Sequence, residues 1–195
     1  EGIIRYASFV KASSSILLLI SINDLQVFGN TSYMTRFLEN YLWGIKKLNA
    51  ESNKQQLIVV FTKADLLLDS LRNFPILANY VREDDQLSIT DLRQYINNMQ
   101  NISNNIERFT LNEIDGGISF NNLAKSNFRS VKYSMVSALG SQPHNGTLIN
   151  SLTPKRVLDP LLWILNDTSG VAEPTLSFWE RFLSKFWKAS DEGIS

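Results

Sequence analysis

The sequence predicts an α/β fold: a mostly parallel, twisted sheet flanked by helices, with a helical segment inserted between two strands. Three observations carry this. Leu57-Ile58-Val59-Val60-Phe61 is apolar throughout and stops abruptly at Thr62-Lys63-Ala64-Asp65, as a strand buried on both faces does. Val131-Lys132-Tyr133-Ser134-Met135-Val136 is a second strand that runs into the small residues Ser137-Ala138-Leu139-Gly140. Ahead of both, a strand and a helix-spaced stretch lead into the Leu57 run, in the order of a right-handed crossover unit.

The elements follow in chain order. Ile3 to Val10 reads as the end of a helix. Ser15-Ile16-Leu17-Leu18-Leu19-Ile20-Ser21-Ile22-Asn23-Asp24 reads as a strand with a polar close. From Thr31 to Asn49, Tyr33, Phe37, Tyr41, Leu42, Ile45 and Leu48 recur at helical spacing. After Asp65, Leu66 to Leu77 opens a helix. Arg82-Glu83-Asp84-Asp85-Gln86 is a polar loop, and Ser88-x-x-Asp91 has the form of a capping box. The helix it starts carries Leu92, Tyr95, Ile96, Met99, Ile102, Ile106 and Phe109 on one face and Asn97, Asn98, Asn101, Asn104 and Asn105 on the other. That apolar face packs on the domain edge or receives a partner. Asp115-Gly116-Gly117 reads as a turn. Pro154 to Leu165 is a closing helix, with Pro160 near its first turn, where a missing N–H is harmless.

Ligands in open α/β sheets sit outside the carboxyl ends of the strands. Thr62-Lys63-Ala64-Asp65 stands at such an end and resembles the guanine-reading motif [Asn/Thr]-Lys-x-Asp of P-loop GTPases. Ser137-Ala138-Leu139 resembles the Ser-Ala-[Lys/Leu] motif of the same families, in the same order along the chain. Ser-Ala-Leu-Gly-Ser-x-Pro, followed by Val-Leu-x-Pro-Leu-Leu-Trp-Ile-Leu, is similar to a bacterial, double-GTPase-like subgroup of TRAFAC-class GTPases. The likeness covers roughly residues 1–166.

That resemblance implies a guanine-nucleotide site made by Thr62, Lys63, Asp65, Ser137, Ala138 and Leu139. Guanine presents N1–H and an N2 amine on one edge, and a carboxylate can accept from both. Adenine offers no such pair and leaves the acid unsatisfied, a discrimination worth roughly 10⁴-fold. The Lys63 stem lies over the base plane, Thr62 ties its loop to a neighbouring one, and the Ala138 N–H meets guanine O6. GTP or GDP is the implied ligand, with Mg²⁺ held outside this chain, in a cytoplasmic hydrolase.

No Gly-x-x-x-x-Gly-Lys-[Ser/Thr] cradle for phosphates occurs in the 195 residues, and no Asp-x-x-Gly follows a strand. Hydrolysis of GTP therefore needs an upstream part, and no residue here is assigned the chemical step. The expectation is that residues 1–169 are the C-terminal half of a GTPase domain. The 72 positions from Asp65 to Ser137 accommodate an insertion at about 78–125. The alternatives are a non-hydrolysing pseudo-GTPase that serves as a protein-interaction module, and an unrelated doubly wound domain with another ligand at the same edge.

Composition narrows the remaining classes. At 44% hydrophobic residues the chain can bury a sizeable core. Lys plus Arg and Asp plus Glu are balanced at 19 each, so no basic surface for nucleic acid is expected. With no cysteine and one histidine, His144 in the loop-like Ser141–Gly146, thiol chemistry and a His-centred metal site are set aside. No apolar run reaches the ~18 residues of a membrane span. Residues 170–175 read as a linker. Residues 176–189 form an amphipathic pattern, with Leu176, Trp179, Phe182, Leu183, Phe186 and Trp187 at helical spacing and Arg181, Lys185 and Lys188 elsewhere. Such a helix suits docking on its own domain, a partner groove, or a membrane interface, the last giving membrane association as an alternative location.

Overall fold

The structure, a computed structural model, describes residues 9–28, 33–82, 92–140 and 153–168. Strands β1 (Ser15–Ser21), β2 (Gln56–Thr62) and β3 (Ser130–Val136) form one parallel sheet in the order β1-β2-β3. Ser15, Gln56 and Ser130 align at its amino end; Ser21, Thr62 and Val136 align at its carboxyl end. The expected α/β class and its parallel strands are present. β1 is shorter than expected, because the chain turns into helix α1 (Ile22–Phe28) at Ile22. Ile22 is fully buried there, and Asp24 in the first turn complements the positive helix end.

Helix α2 (Tyr33–Lys47) crosses from β1 to β2 and buries Met34, Leu38 and Ile45. The stretch after Asp65 is not one helix. It makes two short 3₁₀ turns, Ala64–Leu67 and Ser70–Asn73, before α3 (Pro75–Arg82) begins. Pro75 explains the delay: it keeps Phe74 out of helical geometry and is itself suited to a first helical position. Helices α4 (Leu92–Glu113) and α5 (Gly117–Asn127) follow, and α6 (Asp159–Thr168) closes the described chain. Pro160 stands in the first turn of α6, as expected.

The sheet divides two cores. Ile16, Leu18, Ile20, Leu57, Val59, Phe61, Tyr133 and Met135 face a large cluster that includes Leu38, Ile106, Phe109 and Phe120. Ile58 and Val60 face a smaller one with Met99, Leu162 and Trp163. Burial on both faces is why β2 reads as a continuous apolar run. The inserted segment is thus integral to the core rather than appended to it. Its long helix, α4, runs along the outer edge of β3, where Ser103 Oγ accepts the Tyr133 backbone N–H at 2.9 Å. Lys132 Nζ donates to Gln100 of the same helix. A sheet edge otherwise left open is covered, while Asn97, Asn98, Asn101 and Asn104 stay exposed on the helix's far side. Asp115-Gly116 forms the expected turn, and Gly116 adopts φ 74°. Among the described residues no helix is long and apolar enough to cross a membrane. The capping box at Ser88, the loop around His144, the linker and the aromatic segment 176–189 lie outside the described residues.

Candidate functional site

Asp65 and Ser137 are 72 residues apart and meet at the carboxyl end of the sheet: Ser137 Oγ donates to Asp65 Oδ1 at 2.5 Å. Both follow directly from strand geometry. β2 and β3 are neighbours in register, with Thr62 opposite Val136, so the residues just beyond each strand emerge side by side. Lys63 is in the left-handed region, φ 59° and ψ 41°. This sharp bend turns the chain from the strand into a 3₁₀ turn that begins at the fully buried Ala64. Lys63 is left exposed at the rim, with Asp65 half-buried behind it.

The second loop is pinned at several points. Ser137 N–H donates to Lys155 O at 3.1 Å, and Lys155 N–H returns a bond to Ser137 O at 2.7 Å. Thr153 N–H donates to Leu139 O at 3.3 Å. The Ser137 hydroxyl also accepts from Gly140 N–H at 3.0 Å, so it closes its own loop while holding Asp65. Gly140 has φ 74°, and a Cβ there would lie 2.0 Å from Thr153 O. Only glycine fits that position without moving the backbone. Ala138 and Leu139 are exposed, and their N–H groups have no hydrogen-bond partner among the described residues.

The result is a small polar constellation. A carboxylate is oriented through one oxygen and carries a second, Oδ2, without a partner among the described residues. Two unused amide donors lie on the adjacent loop, and a cation sits at the rim. This can read a planar ligand that offers paired donors on one edge and an acceptor nearby. The six residues expected to form the site therefore fall into one place. The tie between these two loops comes from Ser137. Thr62 ends β2, partly buried, with no side-chain hydrogen bond among the described residues. A Ser–Asp contact across 72 residues has no local sequence signal.

Behind the second loop is a buried polar cluster that the sequence did not announce. Asp159, 1% exposed, accepts from Tyr80 through Oδ2 and from Tyr95 through Oδ1, the latter at 2.5 Å. Arg156 donates from Nε to Tyr80 O and from Nη1 to Tyr95 Oη, each at 3.1 Å, with its guanidinium 4.6 Å from the Tyr80 ring centre. Arg156 itself has φ 59°. Burial, reinforced by the Asp159 charge, pushes the hydroxyls of Tyr80 and Tyr95 well above the ordinary tyrosine range. The cluster fastens residues 155–159 to α3 and α4, and Lys155 in turn pairs with Ser137. Arg156 and Asp159, three apart at the start of α6, were the available hint. Their tyrosine partners lie 61 to 79 positions away.

Among the described residues no group of three or more His, Asp or Glu side chains is placed to hold a metal ion. Comparison with family models, with curated proteins and with solved structures finds no match for this chain.

Proposed function

We propose that this chain carries the base-recognising part of a P-loop GTPase-like domain and binds the guanine of GTP or GDP at the carboxyl edge of β2 and β3. The observation that carries the reading is the Ser137–Asp65 bond, which brings Thr-Lys-x-Asp and Ser-Ala-Leu together at the ends of adjacent parallel strands. The residues fit a guanine base. Asp65 Oδ2 accepts from guanine N1–H and N2–H. The N–H of Ala138, with that of Leu139 beside it, donates to O6. Lys63 lays its methylene stem along the ring face. Ser137 holds the carboxylate so that less ordering is needed on binding. The described residues supply donors and acceptors for the base but no cluster for Mg²⁺. In the intact protein a phosphate cradle and Mg²⁺ would supply triphosphate binding and charge neutralisation during hydrolysis. What this chain contributes is selection of the base.

The test is calorimetric titration of the full-length protein with GDP, GTP, ATP and xanthosine diphosphate, on the native chain and on Asp65→Asn. Guanine selectivity is expected. Asp65→Asn should weaken GDP by about 100-fold or more, as loss of a charged hydrogen-bond partner predicts, and should shift preference toward xanthosine, whose C2 carbonyl accepts from the new amide. Folded protein that binds ATP as well as GDP, or neither, would rule the reading out.

A further inference from the structure

The two loops at the carboxyl end of the sheet are joined at their tips by the Ser137–Asp65 bond. They are joined a second time in the interior. The segment that leaves Asp65 runs through two 3₁₀ turns into α3, which carries Tyr80. Beside the Ser137 loop lies Lys155, whose backbone pairs twice with Ser137, and Arg156 and Asp159 follow it. Asp159 accepts from the Tyr80 hydroxyl, and Arg156 Nε donates to Tyr80 O at 3.1 Å. Tyr95 of α4 fastens the junction: its hydroxyl donates to Asp159 Oδ1 at 2.5 Å and accepts from Arg156 Nη1 at 3.1 Å. The tips of the loops and the segments behind them are therefore tied by separate sets of bonds.

The backbone of Arg156 adds a second observation. Its φ of 59° lies in the left-handed region, which strains a residue with a Cβ and which glycine adopts freely. Glycine would make this turn at lower cost. What glycine lacks is the guanidinium, which is buried and directs donors at Tyr80 O and at the Tyr95 hydroxyl. Strain that persists because surrounding bonds over-determine it points to a positional task. The residue next to that turn is Lys155, the partner of Ser137.

We propose that Arg156 and Tyr95, together with Asp159 and Tyr80, are positioning residues for base recognition. Through Lys155 they fix Ser137, and through Ser137 they fix the direction of the Asp65 carboxylate. The proposal rests on the guanine reading above, in which the base meets Asp65 and the amides of residues 138 and 139 and none of these four side chains. A group that reads a ligand edge must be held to within about 0.5 Å by packing and by bonds to its supports. Loosening the junction behind the loops therefore weakens discrimination at Asp65 more than binding as a whole.

Inosine diphosphate differs from GDP only in lacking the N2 amine, so the ratio of the two affinities reads the Asp65 carboxylate. Calorimetry on the full-length protein should give a native ratio of about 10- to 100-fold in favour of GDP, as one bond to a charged acceptor predicts. Tyr95→Phe removes one hydroxyl and keeps the ring. It should lower the ratio about threefold or more, as coupling through a shared network does. Arg156→Lys keeps the charge but not the planar fork and should lower the ratio too. Tyr133→Phe is the control. It removes a buried hydroxyl that donates to Asn121 at 2.8 Å on the other face of the sheet. The ratio should not change there, even where the urea midpoint falls. A native ratio retained in both Tyr95→Phe and Arg156→Lys, in folded protein, overturns the inference and leaves the base reading standing. So does an equal fall in Tyr133→Phe, which would assign the effect to general stability. A native chain that binds GDP and inosine diphosphate alike overturns the base reading itself, and this inference with it.

Discussion

Ser137 carries more of the site than its small side chain suggests. Its hydroxyl donates to Asp65 and accepts from Gly140, while its backbone pairs twice with Lys155. Ser137→Ala removes a bond to a charged acceptor, worth about 1.5–3 kcal/mol. Guanine-nucleotide affinity is expected to fall about 10- to 100-fold, with the unfolding midpoint little changed, since Asp65 can turn to water. Titration with GDP alongside urea denaturation separates the two effects. Gly140→Ala is a different case. The left-handed φ and the Thr153 carbonyl 2.0 Å from the new Cβ force the loop to move, so affinity and stability should fall together. These roles were only partly legible beforehand. Asp65, Ser137 and Ala138 stand where an apolar run ends, and a resemblance named them. The contact between Asp65 and Ser137 follows from strand register, which no local pattern records.

Among the elements, α4 shows how an insertion becomes structural. Its apolar stripe, read from spacing as either an edge-packing or a partner-binding face, buries Met99, Ile106 and Phe109 in the domain's own cores. Ser103 sits in that stripe as a polar exception and supplies the acceptor that an edge-strand N–H needs. Ser103→Ala would leave the buried Tyr133 N–H unpaired, a cost of about 1–3 kcal/mol. The shift should appear in the urea midpoint with an unchanged slope. The turn to α5 is equally constrained: a Cβ on Gly117 would meet the Thr110 carbonyl at 1.9 Å. The cluster at the head of α6 links these elements to the candidate site. Asp159→Ala would remove the carboxylate that accepts from two tyrosine hydroxyls beside Arg156 in the interior. Breaking a buried charged network in this way costs about 3–5 kcal/mol. Asp159→Asn keeps the shape and should be milder in denaturation experiments.

Over the whole molecule, Tyr41, Tyr80, Tyr95 and Tyr133 give the fold a defined alkaline limit. Burial raises Tyr41, which donates to Gln55 at 3.0 Å, from 10.0 to about 12. Burial and nearby carboxylates raise Tyr80, Tyr95 and Tyr133 further, Glu107 being the charge near Tyr133. The folded chain therefore holds these protons to higher pH than the unfolded chain does. Their contribution to stability is complete below pH 10.0 and, for Tyr41, is lost as pH rises toward about 12. Tyrosinate absorbance should rise in two stages, the second coinciding with loss of the folded circular-dichroism signal. A single early rise for all tyrosines would contradict the buried arrangement.

The strands, the crossover helix and the parallel class were readable in the sequence, because each rests on local periodicity, whereas the residues at the candidate site were named by a resemblance. The continuous apolar run of β2 is buried on both faces, and a run that stops at polar residues marks a strand end. Other features depended on which segments pack together. Pro75 delayed a helix that spacing alone would start at Leu66. Arg156 and Asp159 found partners on α3 and α4. Ser137 joined the two loops. The exposure of Leu17 and Leu19 on β1 likewise became visible only in three dimensions, since both look as buried as Ile58 and Val60 in the sequence. Burial of a strand's second face is set by whether another element lies over it, and that is a long-range property which hydrophobicity along the chain does not encode.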